Sequence, residues 1–231
     1  LGALAVAGGT VGFGSRLLAA AEPIGSYGGL LPADANGLRL PPGFRSRVIG
    51  RTREVVAGTS YEWHANPDGA GCVATPGGGW ILVSNSEVDG GNGGAGAVRF
   101  AADGTIADAY TIVSGTSRNC SGGFTTWGTW LSCEEVEGGR VYECDPTGAD
   151  PAVLRSGLGT FKHEAAAQDP RTGIVYLTED LPDGRLYRFV PARQGSLASG
   201  RLQAAAVTAG RVRWVDVAAD EPARGDDTTA F

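Results

Sequence analysis

Apolar residues in this chain come in short runs, each cut off by Gly, Pro, Asp or Asn before a helical stripe can develop. "RVYEC" (140–144) and "RLYRF" (185–189) alternate with a period of two, the pattern of a strand with two different faces. "AADGT" (101–105) and "DPTG" (145–148) supply the backbone conformations of hairpin turns. Apart from the first residues, "KHEAAAQ" (162–168) is the one stretch that suits a helix.

Three segments repeat this strand–turn–strand design. They are "WILVSNSEVDGGNGGAGAVRFAADGT" (80–105), "TWLSCEEVEGGRVYECDPTG" (129–148) and "GIVYLTEDLPDGRLYRFVPAR" (173–193). Each has an apolar strand that ends in a small polar residue and then acids, followed by a glycine turn and a second strand. Ser84, Ser132 and Thr178 take matching places, 48 and 46 residues apart. A period of that length with several strands per unit is the length of a β-propeller blade. The expected fold is therefore all-β, a partial propeller of about half of six blades. Stacked sandwich hairpins are the rival arrangement, but matched acidic strand ends at a fixed period favour radial repetition.

Radial repetition turns sequence positions into a site, because equivalent strand ends of successive blades point at one axis. Glu87, Glu134 with Glu135, and Glu179 with Asp180 stand at those ends. Like charges brought together cost free energy unless protons or a cation neutralise them. The stretch "NCSGGFTTWGTWLSCEE" (119–135) adds a thiol, Cys120, to the acids on one Trp-braced hairpin. A solvated hairpin end is the plain reading of a single "EE"; three matched positions and a thiol point to metal instead.

Composition narrows this further. A net charge of −6 argues against nucleic acid or an anionic membrane surface as partner. With 38 Gly and 12 Pro but 42% hydrophobic residues, the chain reads as many turns between short strands, not as disorder. Residues 1–22 resemble the core and cleavage region of a secretory signal, with 23–231 as the propeller domain. Arg16 and the glycines of that start argue against a stable membrane anchor. Cys72, Cys120, Cys133 and Cys144 permit two disulfides in an oxidising compartment; Cys133 and Cys144 either pair across a hairpin or fill core volume. No zinc spacing is present, and His64 and His163 are the only histidines.

"RNCSGGFTTWGTWLSCEE" (118–135), "GTFKHEAAAQDPRTGIVYLTED" (159–180) and "DGRLYRFVP" (183–191) together resemble the PhoX-type alkaline phosphatases, exported bacterial enzymes. The resemblance runs over about residues 40 to 231. It implies a propeller whose central site holds iron and calcium and hydrolyses phosphate monoesters, and export to the periplasm or beyond by the twin-arginine route. It implies Cys120 as the thiolate ligand of iron, with Glu134, Glu135 and Glu164 as metal-binding carboxylates. Glu179 and Asp180 follow on the motif "YLTED". Glu87 lies where the family carries Asn-His-Glu; here "NSE" (85–87) keeps the acid and has Ser86 for the histidine. Thiolate suits iron and carboxylate suits calcium. The nucleophile is then expected to be a metal-bound oxygen and no side chain is required for it.

Arg118 is a candidate phosphate contact, weighed against an ordinary turn arginine, and His163 a candidate hydrogen-bond donor to a ligating carboxylate, weighed against a hydrogen-bonded structural histidine. Trp127 and Trp130 are expected to brace the loop. The family's later Arg/Glu motif does not occur before "DDTTAF" (226–231), so the chain is expected to be a fragment that is inactive by itself or requires a partner to complete it. Two other readings need the carboxylates but not the thiol: a calcium-dependent lactonase-like propeller hydrolase, and a non-catalytic calcium-binding propeller. Small phosphate esters are the expected partners.

Overall fold

The structure is a computed structural model that describes residues 27–219; the signal-like stretch 1–22 lies outside the described residues. The chain divides into two compact units, Leu1–Ile49 and Gly50–Phe231. In the first, the described residues form turns without strands. Asp34 Oδ1 accepts the backbone N–H groups of Asn36 and Leu38 at 2.9 and 3.0 Å. Among the described residues no helix is long and apolar enough to cross a membrane.

Apart from one 3-10 turn (Ser156–Leu158), the regular structure among the described residues of the second unit is all β, in three consecutive antiparallel meanders, the blades expected from the repeat. The first runs β1 (Pro67–Ala74), β2 (Trp80–Ser86), β3 (Gly93–Phe100) and β4 (Ile106–Thr116). The second runs β5 (Asn119–Phe124), β6 (Trp130–Glu134), β7 (Val141–Cys144) and β8 (Val153–Leu154). The third has five strands, β9 (His163–Gln168), β10 (Val175–Glu179), β11 (Leu186–Pro191), β12 (Gly200–Thr208) and β13 (Arg211–Asp216).

Residues 163–168 of "KHEAAAQ" are strand β9, against their helical composition. Tertiary packing overrides propensity here, because the inner strand β5 lies against both β1 and β9. A Cβ on Gly123 of β5 would lie 2.1 Å from the Ala166 carbonyl oxygen of β9, and one on Gly69 of β1 would lie 2.6 Å from Ser121 Cα. Only small side chains fit between strands that close.

The middle blade has two buried faces, and alternation assigns each residue to one of them. Leu131, Cys133 and Val141 join Val175, Leu177, Tyr187 and Phe189 of the third blade in one core cluster. Trp130 and Cys144 join Ile81, Val83 and Ala97 of the first blade in another. Each fully buried aliphatic or aromatic side chain in these layers stabilises the fold by about 1.5–3 kcal/mol. Cys133 and Cys144 thus leave opposite faces of one hairpin and fill core volume; no disulfide joins them, and all four cysteines are free thiols.

Strand register also corrects the repeat. Ser84 pairs with Ala70, Ser132 with Gly122, and the third equivalent pair is Leu177 with Ala166. The first spacing of 48 holds, whereas the third unit aligns on Leu177 and not Thr178. Matching by polarity missed this because the third blade places an apolar residue where the others place serine.

Residues 50–66 cover the outer face of the first blade, with Val55 bridged to Glu62. Gly96 makes room for them, since a Cβ there would lie 2.1 Å from Tyr61 Oη. His64 hydrogen-bonds Tyr61 Oη at 3.1 Å and Ser84 Oγ at 3.2 Å. Burial pulls its pKa from 6.5 down to about 4. Between those values the unfolded chain takes up a proton that the folded chain refuses, so stability is present above pH 6.5 and drains away as pH falls toward 4. We expect the urea midpoint to drop across that interval and the drop to be smaller in His64→Gln; equal drops in both proteins would contradict the assignment.

Candidate metal centre

The same backbone hydrogen bond recurs in each blade and builds the site. The carbonyl of the residue preceding the inner strand's first position accepts an N–H from the end of the second strand. Glu87 N–H donates to Asn66 at 2.9 Å, Glu135 N–H to Arg118 at 2.8 Å and Asp180 N–H to Lys162 at 3.1 Å. Glu87, Glu135 and Asp180 are therefore structurally equivalent. Two residues beyond the accepting carbonyls stand Asp68, Cys120 and Glu164, a second equivalent set. Each blade thus offers one group from its inner strand and one acid from the end of its second strand.

These groups converge. Cys120 Sγ lies 3.5 Å from Glu164 Oε1 and 3.8 Å from Asp68 Oδ1. One ligand atom each from Cys120, Glu135 and Glu164 lie within 4.8 Å of one another. Cys120 and Glu135 are buried and Glu164 is half-buried. Basic residues interleave with the acids. Arg118 pairs with Glu87 and, at 3.4 Å, with Glu135. Lys162 lies 2.9 Å from Glu135 and 2.9 Å from Asp180. Glu87, Arg118, Glu135, Lys162 and Asp180 form a chain of alternating charge across three blades.

The electrostatics follow from this crowding. Burial first, and then the neighbouring Glu164 and Asp68, raise the Cys120 thiol well above its ordinary pKa. Burial likewise raises Glu164 and Glu87. Lys162 is pushed up to about 12 by its hydrogen bonds to Glu135 and Asp180. A cation among Cys120, Glu135 and Glu164 would favour the deprotonated forms of Cys120 and Glu164, and one sulfur with hard oxygens is a donor set that suits a metal ion.

Several expected site residues stand elsewhere. Glu134 turns away from Glu135, because adjacent strand residues face opposite sides. Its Oε1 accepts the Ser117 N–H at 2.8 Å and its Oε2 the Arg140 N–H at 3.1 Å, so it clamps two turns. Glu179 has the equivalent task, accepting the Arg185 N–H at 3.2 Å and the Tyr187 hydroxyl at 3.5 Å. Neither belongs to the converging cluster. His163 is fully buried, its Nε2 hydrogen-bonds the Gly159 carbonyl at 3.1 Å, and its Nδ1 has no partner. It is a core residue packed against the Phe161 ring, not a donor to Glu164. Arg118 is no ordinary turn arginine, being held between acids.

Asp68 and Lys162 escape an alignment of the repeats by their second strands, which omits the inner strands. Setting "NPDG" (66–69) above "RNCS" (118–121) and "KHEA" (162–165) lines up both sets at once. Trp127 and Trp130 do brace the hairpin: Trp127 Nε1 donates to Glu143 at 2.8 Å, and buried Trp130 donates to Asn85 Oδ1 at 3.0 Å.

Asn85 is a further residue that sequence reasoning passed over. Fully buried, it donates through Nδ2 to the Cys120 carbonyl at 3.2 Å and the Ser121 carbonyl at 2.8 Å. Its Oδ1 also accepts the Ser132 hydroxyl at 2.8 Å. Ser132 Oγ in turn accepts from Asn119 Nδ2 at 2.9 Å, and Asn119 Oδ1 accepts from Thr116. This satisfied buried network fixes the backbone that carries Cys120.

A sequence profile described as alkaline phosphatase PhoX matches residues 83–230, more than half of the chain. Among solved structures, the chain is similar to Pseudomonas fluorescens PhoX in complex with vanadate, a transition state analogue. The TM-score is 0.58 at 18% identity, covering 68% of this chain and 49% of that one, a likeness of fold. The chain therefore spans about half the length of that relative. A comparison with curated proteins gave no match.

Replacing Asn85 by Asp keeps the volume but sets an oxygen against two carbonyls. We expect Asn85→Asp to lose roughly 2–4 kcal/mol of stability, the cost of breaking a buried network. Chemical denaturation checks this, and a loss under about 0.5 kcal/mol, the scale of a surface substitution, would contradict it.

Proposed function

We propose that this chain, which belongs to the PhoX family of alkaline phosphatases, serves the metal-dependent hydrolysis of phosphate monoesters. The observation that carries the reading is the meeting of Cys120, Glu135 and Glu164 on two neighbouring blades. The vanadate bound by the Pseudomonas fluorescens protein is a transition state analogue, and it supports a phosphoryl substrate for the related site here. Because the chain spans about half of that relative, the activity is proposed for the whole protein.

In this reading Cys120 holds iron, and Glu135, Glu164 and Asp68 offer oxygens to iron or calcium. Bound, these ions supply Lewis acidity toward phosphoryl oxygens. The chain's own residues orient the donors. Asn85 sets the backbone of Cys120, and Arg118 and Lys162 steer the Glu135 carboxylate from either side. Glu87 and Asp180 stand one ion pair further out, as counter-charges to those cations. Readings with calcium alone leave the buried Cys120 thiol among acids without a task. Export to the periplasm or beyond belongs to the proposal and rests on the apolar residues 1–22.

The test is residue-specific. The purified whole protein should carry iron and calcium by elemental analysis and hydrolyse p-nitrophenyl phosphate. Cys120→Ala should lose the iron and at least about 100-fold in kcat/KM, the upper end of what even an outer partner of a metal ligand costs. Cys133→Ala, in the core, should keep its iron. Full iron and turnover in Cys120→Ala would overturn the proposal.

A further inference from the structure

Lys162 is the chain's only lysine; every other cationic side chain of the Lys/Arg type is arginine. It does not lie on the solvated rim. Its Nζ bridges Glu135 of the second blade and Asp180 of the third, 2.9 Å from each. Its counterpart one blade earlier is Arg118, equivalent by the recurring backbone hydrogen bond. Arg118 is anchored more widely, to Glu87, to the Glu135 carboxylate and, through Nε, to the Glu135 carbonyl at 3.3 Å.

The two cations differ in kind. A guanidinium is a planar fork that holds several acceptors at fixed angles, whereas an ammonium is a point charge on a flexible stem. Glu135 is the acid they share, and it is also the acid that reaches Cys120 and Glu164. A metal ion ligated by Glu135 brings like charge up to the ammonium, which then competes with it for one carboxylate. Asp180 gives the ammonium somewhere to go, since that carboxylate is 57% exposed and already paired with it.

We infer that Lys162 is a tethered counter-cation that holds Glu135 until a metal ion takes it, and so sets the cation affinity of the site. The inference rests on the metal reading of the cluster. In the cation-free protein Lys162 draws the acids of two blades together; on loading, Glu135 turns to the metal and Lys162 stays on Asp180. Arg118, bound to the backbone as well, keeps its place. Lysine at this position makes the latch releasable, and arginine would make it firm.

Cobalt(II) is a suitable probe, because a thiolate-to-cobalt charge-transfer absorbance reports ligation by Cys120 directly. The whole protein, freed of metal, is titrated in a Cys72→Ser background, which removes the exposed thiol among the described residues. Lys162→Met should bind cobalt roughly fivefold more tightly, the factor of a partly exposed ion pair, while its cation-free form melts at a lower temperature. Lys162→Arg should bind more weakly than the parent and keep the parent's cation-free stability. Cobalt affinity unchanged or weakened in Lys162→Met, or strengthened in Lys162→Arg, overturns the inference while the metal reading stands. A parent whose titration gives no absorbance that Cys120→Ser abolishes overturns the metal reading, and the inference with it.

Discussion

One buried amide locks the first two blades of this protein together at Cys120. Asn85, on the second strand of the first blade, sends both Nδ2 hydrogens into carbonyls of β5 and receives Trp130 and Ser132 of β6 on its oxygen. An unpaired donor or acceptor at such depth costs more than a made hydrogen bond returns, so the four contacts stand or fall together. They fix the first blade against the second at the height of Cys120. Buried polar side chains are otherwise costly, and the network is the reason they are tolerated at Ser132, within β6, and at Asn119 and Thr116, where β5 begins and β4 ends.

On that frame the repeat does the rest. One backbone hydrogen bond, repeated at Glu87, Glu135 and Asp180, brings three acids to equivalent places, and the inner strands add Asp68, Cys120 and Glu164. Gathering so much negative charge is unfavourable unless compensated. The chain compensates it locally with Arg118 and Lys162 between successive acids. The opposed demands on Glu135, paired with two cations and adjacent to a thiol, make it the acid through which structure and chemistry are coupled.

Much of the site was legible in the linear chain, and the misses have physical causes. Cys120, Glu135 and Glu164 stand out by their motifs, and their ligand atoms meet in the structure. "EE" and "ED" name two acids each, but a strand presents neighbours to opposite sides, so Glu134 and Glu179 were spent on backbone amides of turns. His163, next to Glu164, turns into the core by the same rule. Asp68 carries an ordinary turn signature in "NPDG" and gains its place only when β1 lies against β5. The alanines of β9 read as helix because propensity is local, while the reason for small residues there is a neighbouring strand.

Taken by itself, the amino-acid order determined that the chain is built of short strands, that they repeat, and that acids recur at strand ends with one thiol nearby. These are statements about period and composition, which need no third dimension. Tertiary structure alone decided which of two adjacent acids faces the axis, that the cysteines of one hairpin sit in different cores, and that a lone lysine lies between two carboxylates. Those outcomes depend on strand register and on what packs across each face, and both arise from residues far apart in the chain.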